Sequence, residues 1–96
     1  MADMGDVRNN EAEGRYELTV DGQLAIAAYD RREGALVFTH TQVPEALEGQ
    51  GVGSGLVKPA LADARARNLK VVPLCPFTNA TLRKHPEWQD ILKDPF

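Results

Sequence analysis

A short segment with four alternating glycines is the clearest candidate for chemistry in this chain. Residues 48–55 run Glu-Gly-Gln-Gly-Val-Gly-Ser-Gly, after a β-rich stretch and directly before a long amphipathic stretch. Glycines let a backbone approach a ligand closely, and the first N–H groups and the dipole of a following helix attract negative charge. The pattern predicts a strand, a glycine loop and a helix N-terminus that together hold a phosphate group.

The glycine loop departs from two common phosphate-binding motifs. A P-loop needs Gly-Lys followed by Ser or Thr, because the lysine reaches the terminal phosphates and the hydroxyl reaches the metal. That tripeptide is absent, and the dinucleotide fingerprint G-x-G-x-x-G lacks its third glycine in every register. The pattern that fits is Q-x-x-G-x-G, with Gln50, Gly53 and Gly55. The alternative is a flexible surface loop that binds nothing.

Cys75 and His40 are the candidates for reactive side chains. Cys75 ends a valine-rich segment, where its thiol could take part in covalent catalysis or protonate a leaving group. The alternative for Cys75 is a small buried apolar residue. His40 lies three residues before Val43, and its neutral imidazole would be a base near pH 7. Strand alternation places His40 on the same face as Phe38, so a half-buried packing role is its alternative.

Other side chains are predicted to be structural. No two of His40, His85 and Cys75 have the short spacing of metal ligands, so we expect no metal site. His85 precedes a proline, which favours an extended residue at a helix start, and its alternative is a contact at the rim of the phosphate site. Phe77, Trp88 and Ile91 are predicted to lie in the core, since basic residues are not interleaved with them as in a nucleic-acid platform.

Length and composition predict one globular domain without a nucleic-acid or membrane signature. The 96 residues are 43% hydrophobic and 26% charged, with a net charge of −3 and no basic patch. No apolar run approaches the length of a membrane span, and no signal peptide is recognisable. The single cysteine cannot form an internal disulfide, so we expect the cytoplasm or another reducing intracellular compartment.

The elements that must position these residues predict an α/β (α+β) fold with a mixed sheet. Residues 1–14 are polar and acidic and predict a disordered tail, which leaves one domain over residues 15–96. Asp21-Gly22 predicts a tight hairpin turn. Alternation and periodicity predict strands at 15–20, 23–30, 35–43 and 69–75, and helices at 52–67, 78–84 and 86–92.

The long helix and its two flanking strands predict a βαβ unit with parallel strands. The helix follows the glycine loop directly, so the loop lies at the carboxyl end of the first of these strands. Pro59 falls inside the helix, where it removes a hydrogen bond and clashes with the carbonyl group of Gly55, at a cost of ~3 kcal/mol. We expect a kink or an irregular first turn.

Three segments carry a resemblance to a known family. The Q-x-x-G-x-G loop resembles the pyrophosphate loop of the GCN5-related N-acetyltransferases. More narrowly, residues 51–56, Cys75-Pro76-Phe77 and residues 84–88 resemble motifs of its small, minimal members, the YjdJ-like and NATD1-like proteins. The resemblance covers about residues 15–93. Such members often have Thr-Glu-Val where this chain has Thr-Gln-Val, so a glutamate base of relatives would be missing at Gln42.

The resemblance implies transfer of an acetyl group from acetyl-CoA to an amine, with the thioester in a gap between two splayed parallel strands. The loop N–H groups would hold the pyrophosphate, and the strand edge would pair with the pantetheine amides. A backbone N–H near Val43 would polarise the thioester carbonyl. Asn79 would contact the pantetheine arm or cap a helix, while Arg83 and Lys84 would face the adenine and 3′-phosphate. The predicted cofactor-binding residues are Thr41, Gln42, Val43, Gln50, Gly51, Val52, Gly53, Ser54, Gly55, Asn79, Arg83 and Lys84.

The acceptor and two competing functions stay open at this level. N-terminal elements that form the acceptor pocket in larger relatives are missing, so the amine could belong to a small molecule or to a protein lysine. The chain could also be a coenzyme A-binding module or sensor without catalysis, or a small interaction domain whose glycine loop is only a turn. The oligomeric state is not predicted.

Overall fold

Five strands form one mixed sheet in the computed structural model, which describes residues 7–94. The sheet order follows the chain, with antiparallel neighbours except for the last pair, which is parallel. The predicted α+β fold with a mixed sheet is confirmed. The elements are β1 (Arg8–Asn10), β2 (Arg15–Val20), β3 (Gln23–Arg32), β4 (Ala35–Gln42), α1 (Val52–Ala66), β5 (Lys70–Pro73) and α2 (Pro76–Lys84), with 3₁₀ helices at Glu45–Leu47 and Pro86–Ile91.

The first hairpin forms where the sequence predicts it. Asp21 and Gly22 both have positive φ, at 51° and 77°, and Val20 pairs with Gln23 across the turn. Two positive φ angles match the right-handed twist of the flanking strands, which is why Asp-Gly is favoured here. The turn therefore sets the register of β2 against β3.

Strand β1 corrects the predicted tail. Residues 7–14 include this strand and a turn, so the prediction of disorder over residues 1–14 is wrong for them; residues 1–6 lie outside the described residues. The strand is held by polar contacts that an apolar pattern does not indicate. The Glu17 carboxylate accepts hydrogen bonds from three side chains: Arg8, Asn10 and Arg15.

Helix α1 packs on one face of the sheet and forms the core with it. The Tyr16 hydroxyl donates a hydrogen bond of 2.7 Å to Asp63, which ties β2 to α1. Three aromatic rings from β2, β3 and β4 lie beneath the helix, with centroids 5.4 to 6.1 Å apart. The buried residues of α1 recur at helical spacing: Val52, Gly53, Leu56, Val57, Ala60, Leu61 and Ala64.

Pro59 does not interrupt α1. The helix is continuous over Val52–Ala66, and the proline ring is exposed. In the first turn, the Gly55 N–H donates to the Gly51 carbonyl at 2.9 Å, so the predicted irregular first turn is not observed. The proline lies far enough along the helix to leave the N–H groups at its start in place.

A β-bulge in β4 decides which side chains face the helices. Residues 28 and 29 of β3 pair with His40 and Phe38, so Thr39 has no partner opposite it. One extra residue reverses the side-chain alternation beyond it. Thr41 therefore follows Phe38 on the helix-facing side, while His40 is exposed on the opposite side. The prediction that His40 and Phe38 share a face is wrong, because alternation alone takes no account of a bulge.

The crossover βαβ unit is present as β4, α1 and β5. Strand β5 pairs with only the first part of β4. Parallel pairing runs from Ala35 opposite Lys70 to Phe38 opposite Pro73. Beyond it, β4 continues to Gln42 while the chain after β5 turns into α2. The end of β4 therefore has a free edge beside the start of both helices. Within residues 7–94, none of the helices has the length and hydrophobicity needed to cross a membrane.

Candidate functional site

A pocket of about 500 Å³ lies at the N-terminus of α1. Its walls come from the end of β4, the loop before α1, the first turn of α1 and the start of α2. The strand end, glycine loop and helix start that the sequence predicts as an anion site thus enclose one cavity. The lining residues are Thr41, Gln42, Val43, Leu47, Glu48, Gly49, Gly51, Val52, Gly53, Ser54 and Phe77.

Glycines shape the backbone at the entrance to α1. Gly49 and Gly51 have φ of 81° and 75°, a left-handed conformation that side chains disfavour. Gly51 is the N-cap of α1, and among the described residues no side chain caps the helix there. The first N–H groups of a helix have no partner within it, so those of α1 are available to a ligand. An anion in this pocket would satisfy them.

Positive charge in the pocket comes from the helix rather than from side chains. Among the residues that line it in the described part of the chain, Glu48 is the one ionisable side chain, and it is acidic. The first-turn N–H groups and the macrodipole of α1 supply the attraction for an anion. Ser54 adds a hydroxyl at the same end. This donor set is of the kind that binds a phosphate group or another small anion.

The single cysteine lies behind one wall of the pocket, at the start of α2. Cys75 is the N-cap of α2 and is 3% exposed. Its backbone N–H donates to the Phe38 carbonyl at 2.8 Å, which keeps it beside β4. The Thr41 Oγ1 lies 3.1 Å from the Cys75 Sγ, a hydrogen bond in which either atom can donate. Thr41 therefore joins the pocket to the thiol.

The surroundings of Cys75 favour its thiolate. Burial alone would raise the pKa of the thiol, but the Thr41 hydroxyl and the N–H groups of Thr78 and Phe77 stabilise the negative charge, and the pKa is lowered overall. These two N–H groups belong to the first turn of α2, where the helix dipole favours an anion. At a given pH, these contacts therefore increase the fraction of thiolate.

Thr78 adds an unusual hydroxyl to this cluster. Its side chain is fully buried, and within residues 7–94 its Oγ1 has no hydrogen-bond partner of ordinary geometry. It lies close enough to the Cys75 sulfur to help lower the pKa of the thiol. A buried hydroxyl without a regular partner is costly, so its position beside the sulfur suggests a role for the site rather than for packing.

Seven of the predicted cofactor residues are brought together by the fold. Five others are not part of the pocket lining. The Gly55 N–H bonds to Gly51 within α1, and the Gln50 side chain donates to the Ala46 carbonyl at 3.3 Å. The seven that line the pocket are Thr41, Gln42, Val43, Gly51, Val52, Gly53 and Ser54; the five that do not are Gln50, Gly55, Asn79, Arg83 and Lys84.

Asn79 and Arg83 contact each other along α2. The Arg83 Nε donates to the Asn79 Oδ1 at 2.9 Å, and the Asn79 amide also lies 3.4 Å from the Pro73 carbonyl oxygen. Because α2 begins at Pro76, Asn79 lies inside the helix, and the prediction that it caps a helix is wrong. Lys84 is exposed at the far end of α2 from the pocket.

The prediction of Phe77 as a core residue is also wrong. Its side chain is 40% exposed, and its ring lies against Gly53 in the first turn of α1. A Cβ added to Gly53 would lie 2.6 Å from the ring Cζ. The hint in the sequence was Gly53 itself: a glycine inside a helix often marks a close approach by another group. Trp88 is partly buried and Ile91 is buried, as predicted.

Comparison with known proteins identifies what this geometry resembles. A family model described as GCN5-related N-acetyl-transferase matches residues 15–91. Among solved structures, the chain is similar to an NMR structure of a GCN5-like protein from Staphylococcus aureus, named for the N-acetyltransferase activity expected of it. The TM-score is 0.71 at 30% sequence identity, over 91% of this chain and 86% of the other. Among proteins with curated descriptions, none is significantly similar.

Proposed function

The chain belongs to the GCN5-related N-acetyltransferase family, and from this premise we propose that it transfers an acetyl group from acetyl-CoA to an amine. One observation carries the proposal. Thr41 lines a pocket at the uncapped N-terminus of α1, and its hydroxyl lies 3.1 Å from the Cys75 sulfur, so an anion bound at the start of the helix would lie close to a cysteine thiol. The Cys75-Pro76-Phe77 segment of the chain supports a place among the minimal members of the family.

The donor would be held chiefly by backbone groups. The N–H groups at the start of α1, with the Ser54 hydroxyl, would bind the pyrophosphate of acetyl-CoA. The free edge of β4 at residues 41–43 would pair with the pantetheine amides as an added strand does. A backbone N–H near Val43 would polarise the thioester carbonyl. Acetyl-CoA would supply an activated acetyl group as a thioester.

Cys75 would act beside Thr41. A lowered pKa increases the fraction of thiolate at a given pH, and the thiolate is the form that reacts in covalent transfer, so we propose that the Cys75 sulfur accepts the acetyl group. The Thr41 hydroxyl would donate a hydrogen bond to the Cys75 thiolate, whose proton would have passed to solvent. The sulfur would take the acetyl group as the thiolate of coenzyme A leaves, and the amine would then take the acetyl group from the sulfur. His40 is exposed on the opposite side of the sheet, and we assign it no part in the reaction.

A second candidate is a coenzyme A-binding module without catalysis. The observation that favours it is the burial of Cys75, which is 3% exposed and not among the pocket-lining residues. The two functions differ in their requirement for the thiol. Both need the glycine loop, but only the enzyme needs Cys75.

Titration calorimetry with acetyl-CoA tests the donor, with ATP and NAD as competitors for the same anion site. We expect binding of acetyl-CoA alone. Gly53→Val should abolish the binding of acetyl-CoA, because the added side chain meets the Phe77 ring and narrows the pocket that both residues line. Ala62→Val is the matched control, since it places the same side chain on an exposed position of α1. Equal binding of acetyl-CoA by the two variants would exclude the glycine loop as its binding site.

Comparing the wild type with a Cys75→Ala variant distinguishes an enzyme from a binding module without catalysis. Cys75→Ala should bind acetyl-CoA as the wild type does but lose most of the transfer to a panel of amines and lysine peptides. Unchanged transfer in Cys75→Ala would refute covalent catalysis by this residue. Binding without transfer by the wild type to any acceptor of the panel would favour the module.

A further inference from the structure

Thr78 is a fully buried side chain in the first turn of α2. The helix has Cys75 as its N-cap and begins at Pro76, so Thr78 is its third residue. Within residues 7–94, the Thr78 Oγ1 has no hydrogen-bond partner of ordinary geometry. A side chain at the third helical position reaches back toward the N-cap residue, as in a capping box. Helix geometry therefore places the Thr78 hydroxyl beside Cys75.

The usual partners of such a hydroxyl are occupied or unused. In a capping box the third side chain accepts a hydrogen bond from the N-cap N–H, but the Cys75 N–H donates to the Phe38 carbonyl at 2.8 Å. A threonine inside a helix can donate to the carbonyl four residues earlier, as Thr81 does to Phe77 at 3.0 Å. Thr78 makes no such bond among the described residues. Of the polar atoms described at this end of α2, the Cys75 sulfur remains for the Thr78 hydroxyl.

The charge on the sulfur decides whether this hydroxyl has a partner. A neutral thiol is a weak acceptor, whereas a charged acceptor forms the stronger hydrogen bonds. The Oγ1 of the pocket-lining Thr41 already lies 3.1 Å from the sulfur. Burial raises the pKa of the Cys75 thiol, but Thr41 and then the N–H and hydroxyl of Thr78 lower it, and the lowering prevails. Loss of the thiol proton therefore gives the buried Thr78 hydroxyl an acceptor.

Charged and titratable side chains on the surrounding elements lie elsewhere along them. They are His40 on the exposed side of β4, Glu48 in the pocket wall, Lys58 in the middle of α1, Lys70 at the start of β5, and Arg83 and Lys84 in the last turn of α2. Neutral hydrogen-bond donors, rather than a neighbouring cation, therefore stabilise the thiolate.

We propose that Thr78 is a positioning residue, whose hydroxyl donates a hydrogen bond to the Cys75 thiolate and holds it for attack on a thioester. This role rests on the proposed function, in which the Cys75 sulfur accepts the acetyl group. Thr78 acts through the sulfur, because it is fully buried and is not among the residues that line the pocket. Thr41 and Thr78 thus hold the sulfur from two elements, β4 and α2.

Titration of the thiolate by its ultraviolet absorbance tests this role without any substrate. The sequence has a single cysteine, so a Cys75→Ala protein provides the background. Thr78→Val keeps the branched shape but removes the hydroxyl. The thiolate then loses a donor, and the midpoint of the titration should rise by about one pH unit. Thr78→Ser keeps the hydroxyl, and its midpoint should stay near that of the wild type.

Thr81→Val is the matched control on the same helix. Thr81 is 7% exposed, and its hydroxyl donates to the Phe77 carbonyl, so its loss should leave the midpoint unchanged. Circular dichroism and urea unfolding verify that each variant is folded, and Thr78→Ala takes the place of Thr78→Val if the valine does not fit. A folded variant without the Thr78 hydroxyl but with the midpoint of the wild type would overturn the proposal. An equal rise in Thr81→Val would overturn it too.

The pH profile of acetyl transfer separates this role from the proposed function. If both are right, the acidic limb of the profile in Thr78→Val should move with the midpoint of the titration, while the KM for acetyl-CoA stays the same. A raised midpoint in Thr78→Val, without transfer by the wild type to any amine, would support the contact with the thiolate and refute the proposed function. Transfer that requires Cys75, together with an unchanged midpoint in Thr78→Val, would support the function and overturn the role of Thr78.

Discussion

At the scale of single residues, the neighbours of Cys75 decide its chemistry. A buried cysteine among apolar side chains ordinarily has a raised pKa and does not react. Here the first turn of α2 and the hydroxyl of Thr41 reverse that effect, and the pKa of the thiol is lowered. The bulge at Thr39 is what places Thr41, and not His40, on the side of the sheet where Cys75 lies.

Thr41→Val should move the pH profile of Cys75 alkylation to higher pH. The variant keeps the shape of the side chain but removes the hydroxyl that stabilises the thiolate, so the pKa of the thiol rises and less thiolate is present at a given pH. Thr39→Val is the matched control on the same strand, where the hydroxyl contacts the Ala28 carbonyl. Identical midpoints for the two variants would contradict the assignment of Thr41.

At the scale of elements, helix α1 lines the pocket and yet contains several residues with low helix propensity. Gly53, Gly55 and Pro59 all lie within it, and each is unfavourable in a helix interior relative to alanine. The glycine at position 53 is explained by the Phe77 ring, which leaves no room for a side chain there. Pro59 is exposed and outside the pocket lining, so nothing in the structure explains it.

Pro59→Ala should therefore stabilise the protein. The substitution restores a backbone N–H to the helix interior, and part of this gain is offset by a more flexible unfolded chain. We expect the free energy of unfolding in urea to rise by about 2 kcal/mol. Lys58→Ala, at the neighbouring exposed position, should change it by less than about 0.5 kcal/mol. A loss of stability in Pro59→Ala would show that the ring has a structural role.

At the scale of the whole molecule, polar contacts attach the N-terminal strand to the rest of the fold. Glu17 is 8% exposed, and hydrogen bonds from Arg15, Arg8 and Asn10 lower the pKa of its carboxyl to about 2. A second polar contact joins this segment to the end of α1, where Arg67 forms an ion pair with Glu11 at 2.7 Å. The edge of the sheet at β1 thus depends on ionised groups.

Stability should fall in acid because of Glu17. Its pKa is lower in the folded protein than the ordinary value of 4.5, so its contribution is complete above pH 4.5 and is lost as the pH falls through about 2. Urea unfolding at a series of pH values should show this slope, and Glu17→Gln should reduce it. Glu33→Gln, in the exposed turn before β4, is the control. An equal slope in wild type and Glu17→Gln would refute the assignment.

Local patterns in the sequence were enough for most of the architecture. Alternation at residues 15–20, the Asp-Gly turn and the apolar spacing of α1 depend on neighbours a few residues apart, which a sequence shows directly. The glycine loop was predicted for the same reason, since loop and helix start are contiguous in the chain. The mixed sheet followed from the order of these elements.

Tertiary structure alone decided the features that bring distant segments together. β1 pairs with β2, and its polar residues Arg8 and Asn10, which show no apolar period, contact the Glu17 carboxylate. The bulge places Thr41 rather than His40 on the side of the sheet that faces the helices, and it depends on the register between β3 and β4. The contact of Thr41 with Cys75 and that of Phe77 with Gly53 depend on how α2 packs. The register between β3 and β4 and the packing of α2 are set by contacts between residues far apart in the chain, and no local pattern encodes them.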